Sequence, residues 1–428
     1  MSTRITMAGT ALSKADMDLV LVEEKSSART LILNRPKQLN ALNYPMISRL
    51  LDLYLEFEQD PNVKLIVMKG TGRAFCAGGD VATVVRDISQ GNWRLGAHFF
   101  RKEFTLNFLI ATYSKPQVLI YDCNGIFSLS PFLFLKDDME VSSLPNSHIE
   151  LIYLSKVSTL NGIVMGGGAG VSVHGRFRVA TENTVFAMPE TALGLFPDIG
   201  ASYFLSKLPG FFGEYVGLTG YRLDGAEMLV CGLATHYVPA ERLSSLEDAL
   251  YGANSSDLAT ISSIIDKFSQ VPILKGTSAY HRLKIINKCF ARRTVEEILS
   301  ALEGEAASNK DDWILSAIDS LKKASPTSLK ISLRSIREGR LQGIGKCLAR
   351  EYRMVCHVMR GEMSKDFFEG CRAILIDKDK NPKWQPSKLE LVDEAMVDKY
   401  FSRVQDEDWE ELEFPPRSNL PAHAIAKL

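Results

Sequence analysis

Two glycine-rich stretches are the features of this 428-residue sequence that are most suggestive of chemistry. TGRAFCAGGD (residues 71–80) follows the buried-type strand VKLIVMKG, and NGIVMGGGAG (residues 161–170) contains the short strand GIVM. Where a strand runs through glycines into a helix, the first helical N–H groups lack an intrahelical acceptor and can bind an anion. Two such turns could converge on one oxygen atom, although simple tight turns explain the composition equally well.

Nucleotide-binding and serine-hydrolase interpretations fit these stretches less well. Neither stretch ends in the GK[ST] of a P-loop, and a GxGxxG pattern starting at Gly166 or Gly168 meets valine at its last position. GVSVH (residues 170–174) lacks the final glycine of a nucleophile elbow, so Ser172 is interpreted as an ordinary helix residue. Two convergent backbone donors therefore remain the leading interpretation.

Composition excludes several other classes of function. A net charge of −1 argues against general nucleic-acid binding, and the apolar run near Pro131 is too short to cross a membrane. The seven cysteines include no CxxC pair, which favours reduced thiols in a non-secretory compartment.

His98, His174 and His236 have neither metal-like spacing nor a triad partner, and we interpret them as structural. We expect no metal, and no cofactor apart from what a substrate carries.

Hydrophobic periodicity predicts an α/β fold that positions the glycine stretches. DLVLVEEKSSARTLILNRP predicts two strands joined by a polar turn, and ALNYPMISRLLDLYLEFEQD predicts a helix. FFRKEFTLNFLIATYS (residues 99–114) predicts an amphipathic helix, and FRVAT and TVFAMPE predict further strands. From about Gly210 onward the pattern is mainly helical, with a helix start at Ser325-Pro326.

Four motifs in fixed order resemble one enzyme family. NRPKQLNALN, GRAFCAGGD, NGIVMGGGAG and FAMPETALGLFPDIGASYFLSKLPG are similar to the enoyl-CoA hydratase/isomerase (crotonase) superfamily, and most closely to its 3-hydroxyisobutyryl-CoA hydrolase branch. The resemblance covers about residues 17–400, with residues 118–156 as an exception. It implies a crotonase-like ββα spiral core over residues 17–209, a mainly helical region over 210–415 and a flexible tail over 416–428.

The resemblance also implies the residues of the site. The thioester oxygen would lie between two backbone N–H groups, which match Ala77 and Gly167 here. Substrate contacts in the hydrolase branch match Gly167 again and three acidic residues, Glu103, Glu190 and Asp198. The coenzyme A contacts match Arg35, Ala74, Phe75 and Gly79.

One departure from the superfamily pattern favours hydrolysis over hydration. Hydratases place a second catalytic glutamate where this sequence has Gly170, and adding water across a double bond needs paired carboxylates. The resemblance therefore implies hydrolysis of 3-hydroxyisobutyryl-CoA, or of a similar short 3-hydroxyacyl-CoA, as in valine catabolism. Glu190 would act as nucleophile or as base toward water, while Asp198 and Glu103 would order the polar end of the substrate. The alternatives are another crotonase-type hydratase or isomerase, and a non-catalytic acyl-CoA-binding splice product.

Residues 118–156 interrupt the family pattern. Without them KPQ would join VSTLNGIVMGGG, which predicts one continuous strand leading into the second glycine turn. Every valine codon begins with GT, as at Val118, and Lys156 can be encoded by AAG, which ends with AG. Because these are the outer letters of an intron, our hypothesis is a translated intron. A lineage-specific loop is the alternative. Genomic borders without splice signals would refute the intron. In either case we expect the segment to loop out, with exposed apolar residues that favour aggregation.

The C-terminus predicts a cellular address. Ala426-Lys427-Leu428 resembles the SKL type of peroxisomal signal, which an import receptor reads at an exposed end of the chain. We therefore expect a peroxisomal protein, with mitochondria as the alternative. The resemblance also allows a homo-oligomer.

Overall fold

The computed structural model describes residues 13–89, 91–113, 155–308 and 311–417. Ten strands lie in this part of the chain: β1 Val20–Lys25, β2 Ala28–Leu33, β3 Leu65–Gly70, β4 Ala74–Cys76, β5 Ser155–Leu160, β6 Ile163–Met165, β7 Phe177–Ala180, β8 Val185–Ala187, β9 Leu223–Asp224 and β10 His236–Tyr237. They form a six-stranded sheet in the order β1-β2-β3-β5-β7-β10 and a four-stranded sheet in the order β4-β6-β8-β9. The β1–β2 hairpin and the β8–β9 pair are antiparallel, and the remaining pairs are parallel.

Helices make up most of the rest of the described chain. They are α1 Lys14–Met17, α2 Tyr44–Gln59, α3 Val81–Ile88, α4 Trp93–Ala111, α5 Gly167–Gly170, α6 Ala201–Leu205, α7 Phe212–Thr219, α8 Gly225–Cys231, α9 Leu243–Gly252, α10 Leu258–Phe268, α11 Leu283–Phe290, α12 Val295–Ser308, α13 Asp312–Lys323, α14 Pro326–Gly339, α15 Ile344–Arg360, α16 Asp366–Cys371 and α17 Glu394–Phe401. The parallel sheets and the helix-rich second half confirm the α/β prediction. No helix of the described residues is long and apolar enough to cross a membrane.

The chain alternates between the two sheets in a strand–strand–helix order. β3, β5 and β7 lie in the larger sheet, and each is followed by a short strand of the smaller sheet. The change from β5 to β6 occurs at Gly162, whose φ is +105° and where a Cβ would overlap the Arg73 carbonyl. The prediction of one continuous strand from VSTL into GIVM is therefore wrong, because a left-handed turn at glycine divides it between two sheets.

Local capping explains where the site-bearing helix begins. The periodicity of FFRKEF predicts a start at Phe99, but α4 begins at Trp93, because the Asn92 side chain accepts a hydrogen bond from the Arg94 N–H at 3.2 Å. The predicted start at Ser325-Pro326 is confirmed, since the Ser325 hydroxyl accepts from the Ser328 N–H at 3.1 Å.

Most C-terminal helices pack on the main hydrophobic core, whereas α9 and α10 pack in a second cluster with residues of β2, β3 and β7. One cluster of buried side chains extends from Val20 in β1 to Leu412, and α15 packs along α4. The region beyond Gly210 also supplies β9 and β10, one strand to an edge of each sheet. Most of the segment 118–156 and the tripeptide Ala426–Leu428 lie outside the described residues.

Candidate active site

The second glycine stretch forms a turn that exposes a backbone donor. Gly166 has φ +45° and ψ −123°, a conformation open to glycine, and α5 begins directly after it. Ala169 and Gly170 donate to the Gly166 carbonyl, whereas the Gly167 N–H has no acceptor among the described residues. Within the described residues, the Gly167 N–H is therefore available as the predicted donor.

The first glycine stretch presents Gly79 rather than Ala77. The Ala77 N–H donates to the Leu39 carbonyl at 3.0 Å, so it is already paired. Gly78 then turns the chain with φ +117°, and the Gly79 N–H has no acceptor in the described part of the chain. A Cβ on Gly167 would lie 3.0 Å from the Gly79 nitrogen, which places the two turns side by side. The structure therefore replaces Ala77 by Gly79 as the first candidate donor.

Two buried glutamates flank these donors. Glu103 on α4 is 1% exposed, and its Oε1 lies against the position that a side chain on Gly167 would occupy. Glu190 opens the 3-10 turn Glu190–Leu193 after β8, and its Oε1 lies 2.9 Å from where a Cβ on Gly166 would be. Within the described residues, Glu103 Oε1 and Glu190 Oε2 have no hydrogen-bond partner. Both carboxyl groups therefore face the start of α5.

Burial keeps protons on these carboxyl groups. Burial raises the pKa of Glu103 to about 8. Burial, with the charge on Glu103 as a smaller cause, raises the pKa of Glu190 to about 8. The pKa of Asp198, which is 4% exposed, is raised well above its usual range by burial and then by Glu103 and Glu190. Groups so perturbed in one cluster are typical of a site that moves protons.

The turn that carries Asp198 is held by α15. Glu351 is fully buried on α15 and accepts hydrogen bonds from the Gly200 N–H at 2.6 Å and the Ser202 N–H at 3.0 Å. Ile199 has φ +56°, an uncommon and strained conformation for a β-branched residue. Glu351 is not among the residues that the motifs identify. Its only sequence signal is a glutamate, in EYRM, on the apolar face of a helix.

Of the predicted coenzyme A residues, Arg35 and Gly79 are partly exposed, whereas Ala74 and Phe75 are buried. Arg35 forms an ion pair with Asp80 at 2.8 Å and donates to the Ala41 carbonyl, beside the first glycine turn. Ala74 and Phe75 lie in β4 with buried side chains, so only their backbone could meet a ligand. Gly79 lies in the turn itself and is partly exposed.

The three histidines contact groups outside the carboxyl cluster. His98 lies 2.8 Å from the Tyr44 hydroxyl, and His236 lies 3.4 Å from the Asp266 carboxylate. The His174 Nε2 lies 2.8 Å from the Ile199 carbonyl, where it helps to hold the turn after Asp198. These contacts agree with structural roles.

The geometry supports addition to a polarised carbonyl group. Two unpaired N–H groups from different turns stand together, and carboxyl groups with raised pKa values lie beside them. Donors preorganised around a developing oxyanion stabilise it by about 3 kcal/mol each, by the cost of removing one. At Gly170 a Cβ would lie 2.7 Å from the Asn107 amide nitrogen, so this position has no room for another carboxylate.

Comparisons of the sequence with known proteins match one family over most of the chain. The family model for enoyl-CoA hydratase/isomerase matches residues 28–127 and 145–401. The gap between the two matched ranges falls inside the segment 118–156. The chain is 64% identical to 3-hydroxyisobutyryl-CoA hydrolase 1 of Arabidopsis thaliana, over 98% of this chain and 100% of that protein. It is 61% identical to the probable 3-hydroxyisobutyryl-CoA hydrolase 3 of the same plant, over 96% and 99% of the two chains.

A solved structure shares the fold over almost the whole chain. The crystal structure of a carnitinyl-CoA dehydratase from Mycobacterium thermoresistibile superimposes with a TM-score of 0.76 at 30% identity. The match covers 94% of this chain and 100% of that one. Its extent includes the helix-rich second half as well as the sheets.

Proposed function

Because the chain belongs to the enoyl-CoA hydratase/isomerase family, we propose that it hydrolyses the thioester of 3-hydroxyisobutyryl-CoA to the free acid and coenzyme A. Relatives that bear the name of this hydrolase align with nearly the full length of this chain. The observation that carries the proposal is the pair of N–H groups at Gly79 and Gly167, which have no acceptor among the described residues and lie next to the Glu190 carboxyl group. The reaction is a step of valine degradation.

The two backbone donors act on the thioester carbonyl. The Gly79 and Gly167 N–H groups bind its oxygen, draw electron density from the carbon and stabilise the tetrahedral oxyanion. Because both donors are fixed by glycine turns, they need no rearrangement when charge develops. Coenzyme A enters past the Arg35–Asp80 pair at the first turn, where Arg35 is partly exposed.

Glu190 supplies the base or the nucleophile. In one route its carboxylate attacks the carbonyl carbon, the thiolate of coenzyme A leaves and takes up a proton, and water hydrolyses the mixed anhydride. In the other route Glu190 takes a proton from water, whose oxygen attacks the carbonyl carbon directly. The tetrahedral intermediate then expels the thiolate of coenzyme A, which takes up the proton from Glu190. Asp198 and Glu103 keep the neighbouring water and the polar end of the acyl group in place.

Two measurements distinguish these routes. A single turnover in ¹⁸O-labelled water, followed by peptide mass spectrometry, detects label in Glu190 when water attacks the glutamyl carbon of an anhydride. Hydroxylamine would capture the same intermediate as a hydroxamate on Glu190. Absence of both products would show that neither water nor hydroxylamine attacks a glutamyl carbon, and would favour Glu190 as a base.

The function is tested by thiol release from 3-hydroxyisobutyryl-CoA. We expect saturable release by the purified chain and loss of release in Glu190→Gln. Hydration of crotonyl-CoA is the control reaction, because the carnitinyl-CoA dehydratase shares the fold. Hydration faster than thiol release would overturn the proposal and favour a hydratase.

We further propose that the C-terminal tripeptide directs the chain to peroxisomes through an import receptor. The support is the sequence Ala426-Lys427-Leu428 itself, which lies outside the described residues. A fluorescent protein fused to the N-terminus should accumulate in peroxisomes, and removal of the three residues should leave it in the cytosol. Accumulation of the intact fusion in mitochondria would contradict this address.

A further inference from the structure

Asn107 is a buried amide that the mechanism above does not use. It lies on α4 one helical turn after Glu103 and has no exposed surface. Neither its Oδ1 nor its Nδ2 has a hydrogen-bond partner in the described part of the chain. An unsatisfied buried amide destabilises a fold, because it loses its hydrogen bonds to water without replacing them. Such a group suggests a role in binding.

The amide lies at the inner end of the site. Glu103 lies against Gly167 at the start of α5, and Asn107 lies against Gly170 at its end. The Nδ2 atom stands 2.7 Å from where a Cβ on Gly170 would be, and Ile199 Cβ stands 2.9 Å from the same point. Since Ile199 follows Asp198, the amide borders the turn that carries this carboxyl group. Glu103 and Asn107 therefore line one side of α5 from its start to its end, and the turn that carries Asp198 meets α5 at Gly170.

In the proposed binding mode, the acyl group extends toward this position. The thioester oxygen is bound at Gly79 and Gly167, and coenzyme A leads outward past Arg35. The acyl chain then points inward along α5, toward Gly170. The amide of Asn107 both donates and accepts hydrogen bonds, which is what a hydroxyl group requires of a partner.

We propose that Asn107 is a specificity-determining residue that binds the 3-hydroxyl of the acyl group, an inference that rests on the proposed thioesterase function. The hydroxyl donates to Oδ1 and accepts from Nδ2, so substrate binding satisfies both buried atoms. A substrate without the hydroxyl leaves the amide unpaired. The amide lacks a partner among the described residues because Asn107 serves the substrate and not the fold.

The test compares two substrates that differ in one group, 3-hydroxyisobutyryl-CoA and isobutyryl-CoA. We expect wild type to prefer the hydroxylated substrate in kcat/KM. In Asn107→Leu, which has a similar shape and no polar atoms, the preference should fall at least about tenfold. The loss should fall on the hydroxylated substrate, with the rate on isobutyryl-CoA changed little. The thermal midpoint of Asn107→Leu should equal or exceed that of wild type.

Thr105→Val is the matched control on the same helix. The Thr105 hydroxyl donates to the Arg101 carbonyl within α4, and we expect both the substrate preference and the midpoint to stay close to wild type. Asn107→Ala provides a second variant if leucine does not fit. Equal losses on both substrates, or a lowered midpoint with an unchanged preference, would show that Asn107 is structural and would overturn the inference. Failure of wild type to release thiol from either substrate would instead refute the proposed function, and the inference with it.

Discussion

Glu190 and Glu103 hold their protons at neutral pH because both carboxyl groups are buried beside each other. Glu190 must be ionised to attack the carbonyl carbon or to take a proton from water. Its pKa therefore limits activity from the acidic side. A charge on Glu103 raises the pKa of Glu190, and charges on both glutamates raise the pKa of Asp198, so the titrations of these carboxyl groups are linked.

We expect kcat/KM to rise with pH and to level off above about 8, the pKa of Glu190. Glu103→Gln removes a like charge that raises this pKa, so the rising part of the profile should shift to lower pH. The measurement is thiol release from 3-hydroxyisobutyryl-CoA between pH 5 and pH 10. Lys102→Gln, an exchange next to Glu103 outside the carboxyl cluster, is the control. An unshifted profile in Glu103→Gln would show that the two glutamates do not interact.

Glu190→Gln should lose activity by a factor of about 100 to 10,000 and also change the pH dependence of stability. The folded pKa of about 8 lies above the usual 4.5, so between these values the folded protein binds the extra proton. Wild type therefore loses stability as pH rises from about 4.5 to 8, and the variant lacks this loss. Urea unfolding at pH 5 and pH 8 should show the difference in stability moving in favour of Glu190→Gln at the higher pH. The same difference at both pH values would contradict the raised pKa.

The residue motifs identify the acidic groups better than the backbone donors. Glu190 and Asp198 stand in long motifs whose spacing fixes their place, and the structure brings both to the glycine turns. The choice between Ala77 and Gly79 depends on which N–H group points toward Gly167, and the backbone turn at Gly78, with φ +117°, decides this. The amino-acid sequence does not show the direction of a backbone N–H group. Asn107 has a weak signal, an amide one turn after Glu103 on an otherwise apolar helix face.

At the scale of elements, α15 controls the turn that carries Asp198. Its Glu351 carboxylate accepts from the first N–H groups after the strained Ile199, and from the Ser202 hydroxyl at 2.5 Å. Sequence periodicity predicts helices in this half of the chain but not which turn each helix supports. Periodicity also does not predict the division of the β5–β6 segment at Gly162. That division depends on long-range pairing, because β5 pairs with strands of the larger sheet and β6 with strands of the smaller sheet.

Glu351→Gln should weaken both stability and catalysis. The NH₂ group of the glutamine side chain would face the Gly200 or Ser202 N–H group, and two hydrogen-bond donors cannot pair. We therefore expect the unfolding free energy to fall by about 1–3 kcal/mol. Because the Asp198 turn loosens, kcat per folded molecule should fall as well. Glu227→Gln is the matched control, a buried glutamate that accepts from the Asp224 N–H at the start of α8. We expect it to lower stability while kcat is retained. Equal retention of kcat in both variants would show that Glu351 serves the fold alone.

At the scale of the whole molecule, the segment 118–156 is matched by the family pattern only at its two ends, residues 118–127 and 145–156. The family model leaves residues 128–144 unmatched, and most of the segment lies outside the described residues. Its last two residues, Ser155 and Lys156, begin β5 opposite Leu65 and Ile66 of β3. The remaining question is whether the sheet needs this segment.

A chain that lacks residues 118–156 should fold and keep its activity. Pro116 and Gln117 would then precede Val157 and take the places of Ser155 and Lys156 at the start of β5. A proline is tolerated as the first residue of a strand, because the ladder need not use its missing N–H. The pairing of Val157 with Val67 and of Ser158 with Met68 would be unchanged, and so would the path to Gly162 and Gly167.

We expect this deletion variant to match or exceed the full chain in kcat/KM and to aggregate less on heating, because it loses an apolar segment. Thiol release and light scattering during a thermal ramp measure the two effects. The same deletion combined with Glu190→Gln is the control, and its inactivity would assign the measured release to this site. An insoluble or inactive deletion variant would mean that the segment stabilises β5. That result would contradict the expectation that the segment loops out, and would make it part of the fold.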